Sequence, residues 1–194
     1  KATGKAPEMP KGVDLGWIAG FLFPTPTEIK YEEGIYVGYR YYETFGVKPA
    51  YEFGFGLSYT KFDYSGLKIA SPDFKGKQSV SVTIKNTGSV AGREVVQLYL
   101  AAPVSKIDKP KSELKGFAKT KLLQPGESQT LTLTLTARDL SSFNTDASAW
   151  IADAGKYEVL IGASSSDIKL SGAFNLKKAI VSEKVNNVMA PQVA

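Results

Sequence analysis

Residues 130–136 read Thr-Leu-Thr-Leu-Thr-Leu-Thr. A β-strand turns successive side chains to opposite faces, so this string puts Leu131, Leu133 and Leu135 on one side and four threonines on the other. Such alternation marks a strand of an antiparallel sheet, with one face in a core and one in water. The same pattern recurs on both sides of it. Val80, Val82 and Ile84 alternate with Ser, Thr and Lys, and Val96, Leu98 and Leu100 with Gln97 and Tyr99. Further on come Tyr157, Val159 and Ile161, then Ile168, Leu170, Phe174 and Leu176. Turn-forming residues fall between these runs, at Asn86-Thr87-Gly88, Gln124-Pro125-Gly126 and Asp153-Ala154-Gly155. Arg138–Ser142 has room for one helical turn at an edge, and no amphipathic stretch long enough for a substantial helix interrupts the strands. The expected fold is all-β: an immunoglobulin or fibronectin III-like antiparallel sandwich of seven or eight strands.

Ahead of the strands lies a segment of different character. Between Tyr31 and Tyr64 stand eight of the ten tyrosines and four of the ten phenylalanines. Each such ring buries roughly 150–250 Å², more than one strand of an ordinary sheet can satisfy. Five glycines (Gly34, Gly38, Gly46, Gly54 and Gly56) cut the run into short pieces and exclude a long helix. Such a belt suits packing between two folded units; the other use is a platform for a flat ligand such as a sugar ring. Before it, residues 1–30 form a Pro-, Gly- and Lys-rich arm whose Trp17, Phe21 and Phe23 call for a surface to pack on. The expected organisation is therefore arm and belt over 1–57, sandwich over 58–176, and a C-terminal extension over 177–194.

Composition removes most catalytic chemistry. The 194 residues include no Cys and no His. Disulfides, thiolate nucleophiles, imidazole bases and Cys- or His-built metal centres are excluded, and no metal or other cofactor is expected. Carboxylates remain the strongest acids and bases. The only tight pair in the aromatic segment, Glu32-Glu33, points to opposite faces of an extended chain and makes no dyad; one of the two is expected to pair with Arg40. Gly162-Ala163-Ser164-Ser165-Ser166 follows a strand but leads into another strand, so it reads as a loop and not as a nucleophile turn. Lys+Arg 24 against Asp+Glu 19 gives a net charge of +5. The positive residues are scattered, apart from a Lys-rich run over 106–119, so nucleic acid is not an expected partner. No apolar run approaches the ~20 residues of a membrane span.

Two passages resemble a known family. Glu33-Gly34-Ile35-Tyr36-Val37-Gly38-Tyr39-Arg40-Tyr41-Tyr42 is similar to a signature of glycoside hydrolase family 3, and Phe53-Gly54-Phe55-Gly56-Leu57-Ser58-Tyr59-Thr60 to the passage that leads into that family's C-terminal fibronectin type III-like domain. Further similar phrases follow in the family's order: Asn86-Thr87-Gly88 with Gly92, Glu113-Leu114-Lys115-Gly116-Phe117, Leu123-Gln124-Pro125-Gly126-Glu127, and Gly155-Lys156-Tyr157-Glu158-Val159. Glu43 stands where the family often has Asp. The resemblance covers roughly residues 28–176. It implies the C-terminal part of a retaining, exo-acting β-glucosidase, entered late in its α/β domain near Thr3-Gly4-Lys5-Ala6-Pro7. Neither the family's nucleophile motif nor its acid/base segment occurs here, so the resemblance implies that catalytic residues lie elsewhere.

By the same resemblance, the partners are the barrel and α/β domains of the same enzyme and the β-glucoside or oligosaccharide it hydrolyses. The setting it implies is periplasmic or secreted. The expected interdomain packing residues are Tyr36, Tyr39, Arg40, Tyr41, Phe53 and Phe55. Loop 104–112 reads as a surface loop, with a reach toward the substrate entrance as the other possibility. A stand-alone carbohydrate-binding or adhesion module remains the alternative function.

Overall fold

The computed structural model describes residues 32–186; the expectations for the N-terminal arm and the last residues of the tail lie outside them. The account below concerns the unit that begins at Ile35. Its larger strands are β1 (Phe62–Ile69), β2 (Lys77–Asn86), β3 (Val95–Ala101), β4 (Glu113–Lys119) and β5 (Ser128–Thr136). After these come β8 (Gly155–Gly162) and β9 (Ile168–Leu176); between them and β5 lie the short β6 (Ser142–Asn144) and β7 (Ala149–Ala152), and after them β10 (Ile180–Lys184). One sheet has the order β1-β2-β5 and the other β4-β3-β8-β9, and every pairing in them is antiparallel. These seven strands form the expected sandwich.

Register follows from alternation. Val82 of β2 faces Leu131 of β5 and Val80 faces Leu133, so the apolar sides of the two strands coincide. The threonines of β5 all face water, and the hydroxyls of the paired Thr83 and Thr130 lie 2.8 Å apart on that side. Facing this sheet across the core are Val96, Leu98, Leu100, Tyr157, Val159, Ile161 and Phe174 of the second sheet. The rings of Tyr157 and Phe174 stack at 5.6 Å with 7° between their planes. Each such side chain withdrawn from water contributes roughly 1.5–3 kcal/mol.

A helical turn occurs at Ala137–Leu140, close to the segment expected. Asp139 fixes its start by accepting hydrogen bonds from the Thr136 backbone N–H and hydroxyl, at 2.7 and 2.6 Å. The small sheet β10-β7-β6 beside it was not foreseen. Its strands are three to five residues long, too short for a period of two to register. β10 brings residues 180–184 of the tail back to pair with β7.

Asn86 explains one of the sequence phrases. It is fully buried, and its amide makes four hydrogen bonds. Oδ1 accepts from the Thr60 hydroxyl at 2.7 Å and the Gly88 N–H at 3.1 Å, while Nδ2 donates to the carbonyls of Val90 and Leu123 at 2.8 and 2.9 Å. One side chain thus ties the entry to β1, the β2–β3 turn and the approach to β5.

Candidate functional site: a two-faced aromatic belt

The belt holds one short helix, α1 (Tyr39–Phe45). Gly46 ends it with φ +66°, the left-handed conformation that glycine adopts without a Cβ clash, and the Val47 N–H returns to the Tyr42 carbonyl. A 3.6-residue period places Tyr39, Arg40, Glu43 and Thr44 on one side. That side meets the sandwich. The Tyr39 hydroxyl accepts from the Leu114 N–H at 2.9 Å, and the Thr44 hydroxyl from the Lys111 N–H at 3.0 Å. Glu43 accepts from the hydroxyls of Ser165 and Ser166 at 3.2 and 2.6 Å. Arg40 lies 3.1 Å from Glu113 of β4; that pairing replaces the expected one with Glu32 or Glu33, both of which are exposed.

The second half of the belt continues the seam. Glu52 accepts from Ser164 at 3.0 Å, and the Phe53 carbonyl from the Ser165 N–H at 2.9 Å. Phe53 stacks on Tyr39 at 4.9 Å, and Tyr39 meets Tyr99 edge-on at 5.8 Å. Beneath them Gln97 of β3 donates to the carbonyls of Ala163 (2.7 Å) and Gly54 (3.4 Å) and accepts the Tyr99 hydroxyl at 2.5 Å. Burial drives the Tyr99 hydroxyl far above its ordinary pKa, reinforced by nearby Tyr39 and Glu43, so it is a neutral donor at any physiological pH.

β3 is therefore buried on both faces through its centre, from Val96 to Leu100. Alternation alone read Gln97 and Tyr99 as outward and solvated. The signal available was their size: a Tyr and a Gln side by side on the outer face of a central strand are a platform for something. Ser164, Ser165 and Ser166 occupy the β8–β9 loop, as expected of a loop, and their work is to hold the two belt carboxylates.

The other side of the belt is bare and apolar. Tyr41, Tyr42 and Phe45 of α1 are exposed, as are Val47, Tyr51 and Phe55. Of the six residues expected to pack between units, Tyr39 and Arg40 face the sandwich, and Phe53 bridges both sides. Tyr41 and Phe55 face outward. Tyr36 is half-buried and packs edge-on against Phe45 at 5.0 Å. The outward rings do not form a flat shelf: Tyr51 and Phe55 are tilted by 44°, Tyr41 and Phe45 by 47°, Tyr41 and Tyr42 by 81°.

Glu43 and Glu52 are each held by serine hydroxyls, and among the described residues no group of three or more carboxylates gathers where a metal ion could sit. Among the same residues no helix is long and apolar enough to cross a membrane. Loop 102–112 is pinned beside α1. The Lys109 ammonium donates to Asp153 at 2.5 Å and to the Pro103 carbonyl at 3.2 Å. Burial of Asp153 works against its charge, but hydrogen bonds from Lys109 and Ser105 outweigh it and hold the carboxyl below its ordinary range.

Comparison with known proteins places this geometry in a context. Residues 94–165 match the fibronectin type III-like domain. Thermostable beta-glucosidase B of Acetivibrio thermocellus is 41% identical over 175 residues, covering 86% of this chain and 23% of that protein. Beta-glucosidase A of Butyrivibrio fibrisolvens is 41% identical over 184 residues, covering 84% and 22%. Among solved structures, beta-glucosidase 3B from Thermotoga neapolitana, in complex with alpha-D-glucose, superposes with a TM-score of 0.76 at 52% identity, covering 83% of this chain and 23% of that one. The Bifidobacterium adolescentis GH3 beta-glucosidase gives 0.71 at 39% identity, covering 74% and 21%. The chain thus spans less than a quarter of the length of these relatives.

Proposed function

The chain matches the C-terminal part of the family 3 β-glucosidases in sequence and fold, and from that premise we propose that it is the C-terminal segment of such an enzyme, seated on the catalytic domains through the outer face of the belt. The whole enzyme would remove terminal β-linked glucose with retention, through a covalent glycosyl–aspartate intermediate. Retention needs two carboxyl groups about 5–5.5 Å apart flanking the glycosidic bond, and in this reading both belong to the polypeptide that precedes the segment. The segment's own contribution is mechanical: it holds a preformed aromatic surface against its neighbour and stiffens it. Stiffness matters to rate, since a loosening of about 1 Å at a reacting centre costs roughly a hundredfold.

The observation that carries this reading is the two-sidedness of the belt. Its inner side is fixed to the sandwich by at least seven hydrogen bonds or ion pairs, while its outer side leaves large rings in water. A contiguous apolar surface of this kind marks an interface. The tilted rings argue against the alternative of a carbohydrate-binding module.

The test uses an aryl β-glucoside and three samples: the 194-residue chain, the enzyme lacking it, and the two mixed. The chain alone is expected to give no turnover, the truncated enzyme to be inactive or thermally weakened, and the mixture to recover activity. Turnover by the chain alone at the rate of a complete glycosidase overturns the assignment.

A further inference from the structure

The chain crosses from the belt to β1 over residues 54–60, and beneath this crossing runs a groove of about 610 Å³. Its lining includes Phe55, Asp63, Tyr64, Glu94, Asp167 and Lys169. We propose that this groove is a second seat for the polypeptide that precedes the segment, and that it receives a basic side chain, Arg or Lys, at Glu94. The proposal rests on the reading of the chain as one part of a longer enzyme.

Three observations carry it. First, the crossing presents Leu57 and Tyr59 at 92% and 100% exposure. A Leu and a Tyr without cover, one residue apart on the lip of a groove, are the apolar half of an interface. Second, Glu94 is half-buried, and its donors among the described residues are neutral: the Tyr64 hydroxyl at 3.1 Å and the Val95 N–H at 3.2 Å. Burial raises its pKa; those two bonds and the more distant charge of Lys169 oppose the rise only in part, and Asp167 adds to it. Lys169 is engaged by Asp167 at 2.7 Å, and among the described residues no cation comes within ion-pair distance of Glu94, although Lys61 and Arg93 also line the groove. A cation arriving from outside would find an unpaired, partly desolvated carboxylate. Third, the chain spans 23% of the Acetivibrio relative, so most of such an enzyme is available to supply the occupant. An apolar lip over a floor that carries Asp63, Glu94 and Asp167 beside Lys61, Arg93 and Lys169 suits an amphipathic protein segment.

Hydrogen exchange tests this on the isolated 194-residue chain and on the full-length enzyme. The Gly56–Tyr59 amides lie outside every strand and should exchange quickly in the isolated chain. In the full-length enzyme they are expected to slow at least tenfold. Glu94→Gln in the enzyme should restore most of the fast exchange there while leaving residues 41–47 protected, and Glu94→Asp should keep part of the protection. Tyr59→Ser, which removes a fully exposed ring, should leave the isolated chain's stability unchanged and lose protection only in the enzyme.

Fast exchange at 56–59 in both samples with 41–47 protected in the enzyme overturns the groove and leaves the wider assignment standing. No protection at either place overturns both. Protection that Glu94→Gln does not disturb removes the cation from the proposal. Protection of the isolated chain by cellotriose makes the groove a sugar site instead.

Discussion

Gly54 is the residue on which the seating of the belt can be measured. Its φ is +82°, and a Cβ there would lie 2.7 Å from Cδ of Gln97 and closer still to both of that amide's polar atoms. Gly54→Ala therefore has two costs. An L-residue held in the left-handed region loses about 1–2 kcal/mol. The displaced Gln97 then gives up its bonds to the Ala163 carbonyl and the Tyr99 hydroxyl, groups left buried and unpaired at about 1–3 kcal/mol. The total is about 2–5 kcal/mol. Gly46→Ala supplies the matched control, with φ +66° but nothing within 4 Å of the added methyl, and should lose only the backbone cost. The assay is urea unfolding of the 194-residue chain, joined to hydrogen exchange at the Ser165 amide, which is bonded to the Phe53 carbonyl. Exchange at Ser165 reads detachment of the belt even where the sandwich stays folded. If Gly54→Ala and Gly46→Ala agree within about 0.5 kcal/mol and leave Ser165 equally protected, the belt is not seated on Gln97 and the two-faced description fails.

Three other substitutions probe separate parts. Asn86→Ala removes four hydrogen bonds from a fully buried site and strands two carbonyls; a loss of about 3–5 kcal/mol is expected in the same urea assay, and one below about 1 kcal/mol would show that water replaces the amide. Lys109→Met breaks the pair with Asp153, whose side chain keeps 29% exposure, so the expected cost is about 1–3 kcal/mol. Because the Asp153 pKa is lowered in the fold, its contribution is present at neutral pH and fades as the pH falls through that lowered value; the variant should lose this acid dependence, and trypsin should cut faster at Lys106. Glu94→Gln in the isolated chain should act in the opposite sense. A carboxyl whose folded pKa is raised binds extra protons in the native state, so stability declines as the pH climbs from the unfolded value, about 4.3, through the folded one. The amide variant should flatten that decline above the unfolded value, and an unchanged slope would assign it to another group.

How far the sequence carried depends on how local each signal was. Leu131, Leu133 and Leu135 betray their strand because the information is in the next residue but one. Gln97 and Tyr99 gave no such notice. Their covering comes from Tyr39 and Gly54, more than forty residues earlier, and a period of two records only that one face differs from the other. Arg40 misled for the same reason: Glu32 and Glu33 are near in sequence, whereas Glu113 is near in space. The family-like phrases marked Asn86, Gly88 and Gly54 without saying why such residues stand there. The structure supplies the reasons as a fourfold hydrogen-bonded amide and a backbone too close to Gln97 for a side chain.

The seam between belt and sandwich also sets an order of events during synthesis. Ser166 lies 123 positions after Glu43, and Ser164 112 positions after Glu52. At about 5–20 residues per second, the ribosome needs roughly 6–25 s to deliver the loop that receives carboxylates already synthesised. For that interval the most aromatic stretch of the chain lacks the loop that completes its inner seat. Exposed rings of this density are what chaperones bind and what nascent chains aggregate through. The Glu43 and Glu52 charges that finally lock the belt are, in the meantime, solvated together with the six other charged residues between Tyr31 and Tyr64.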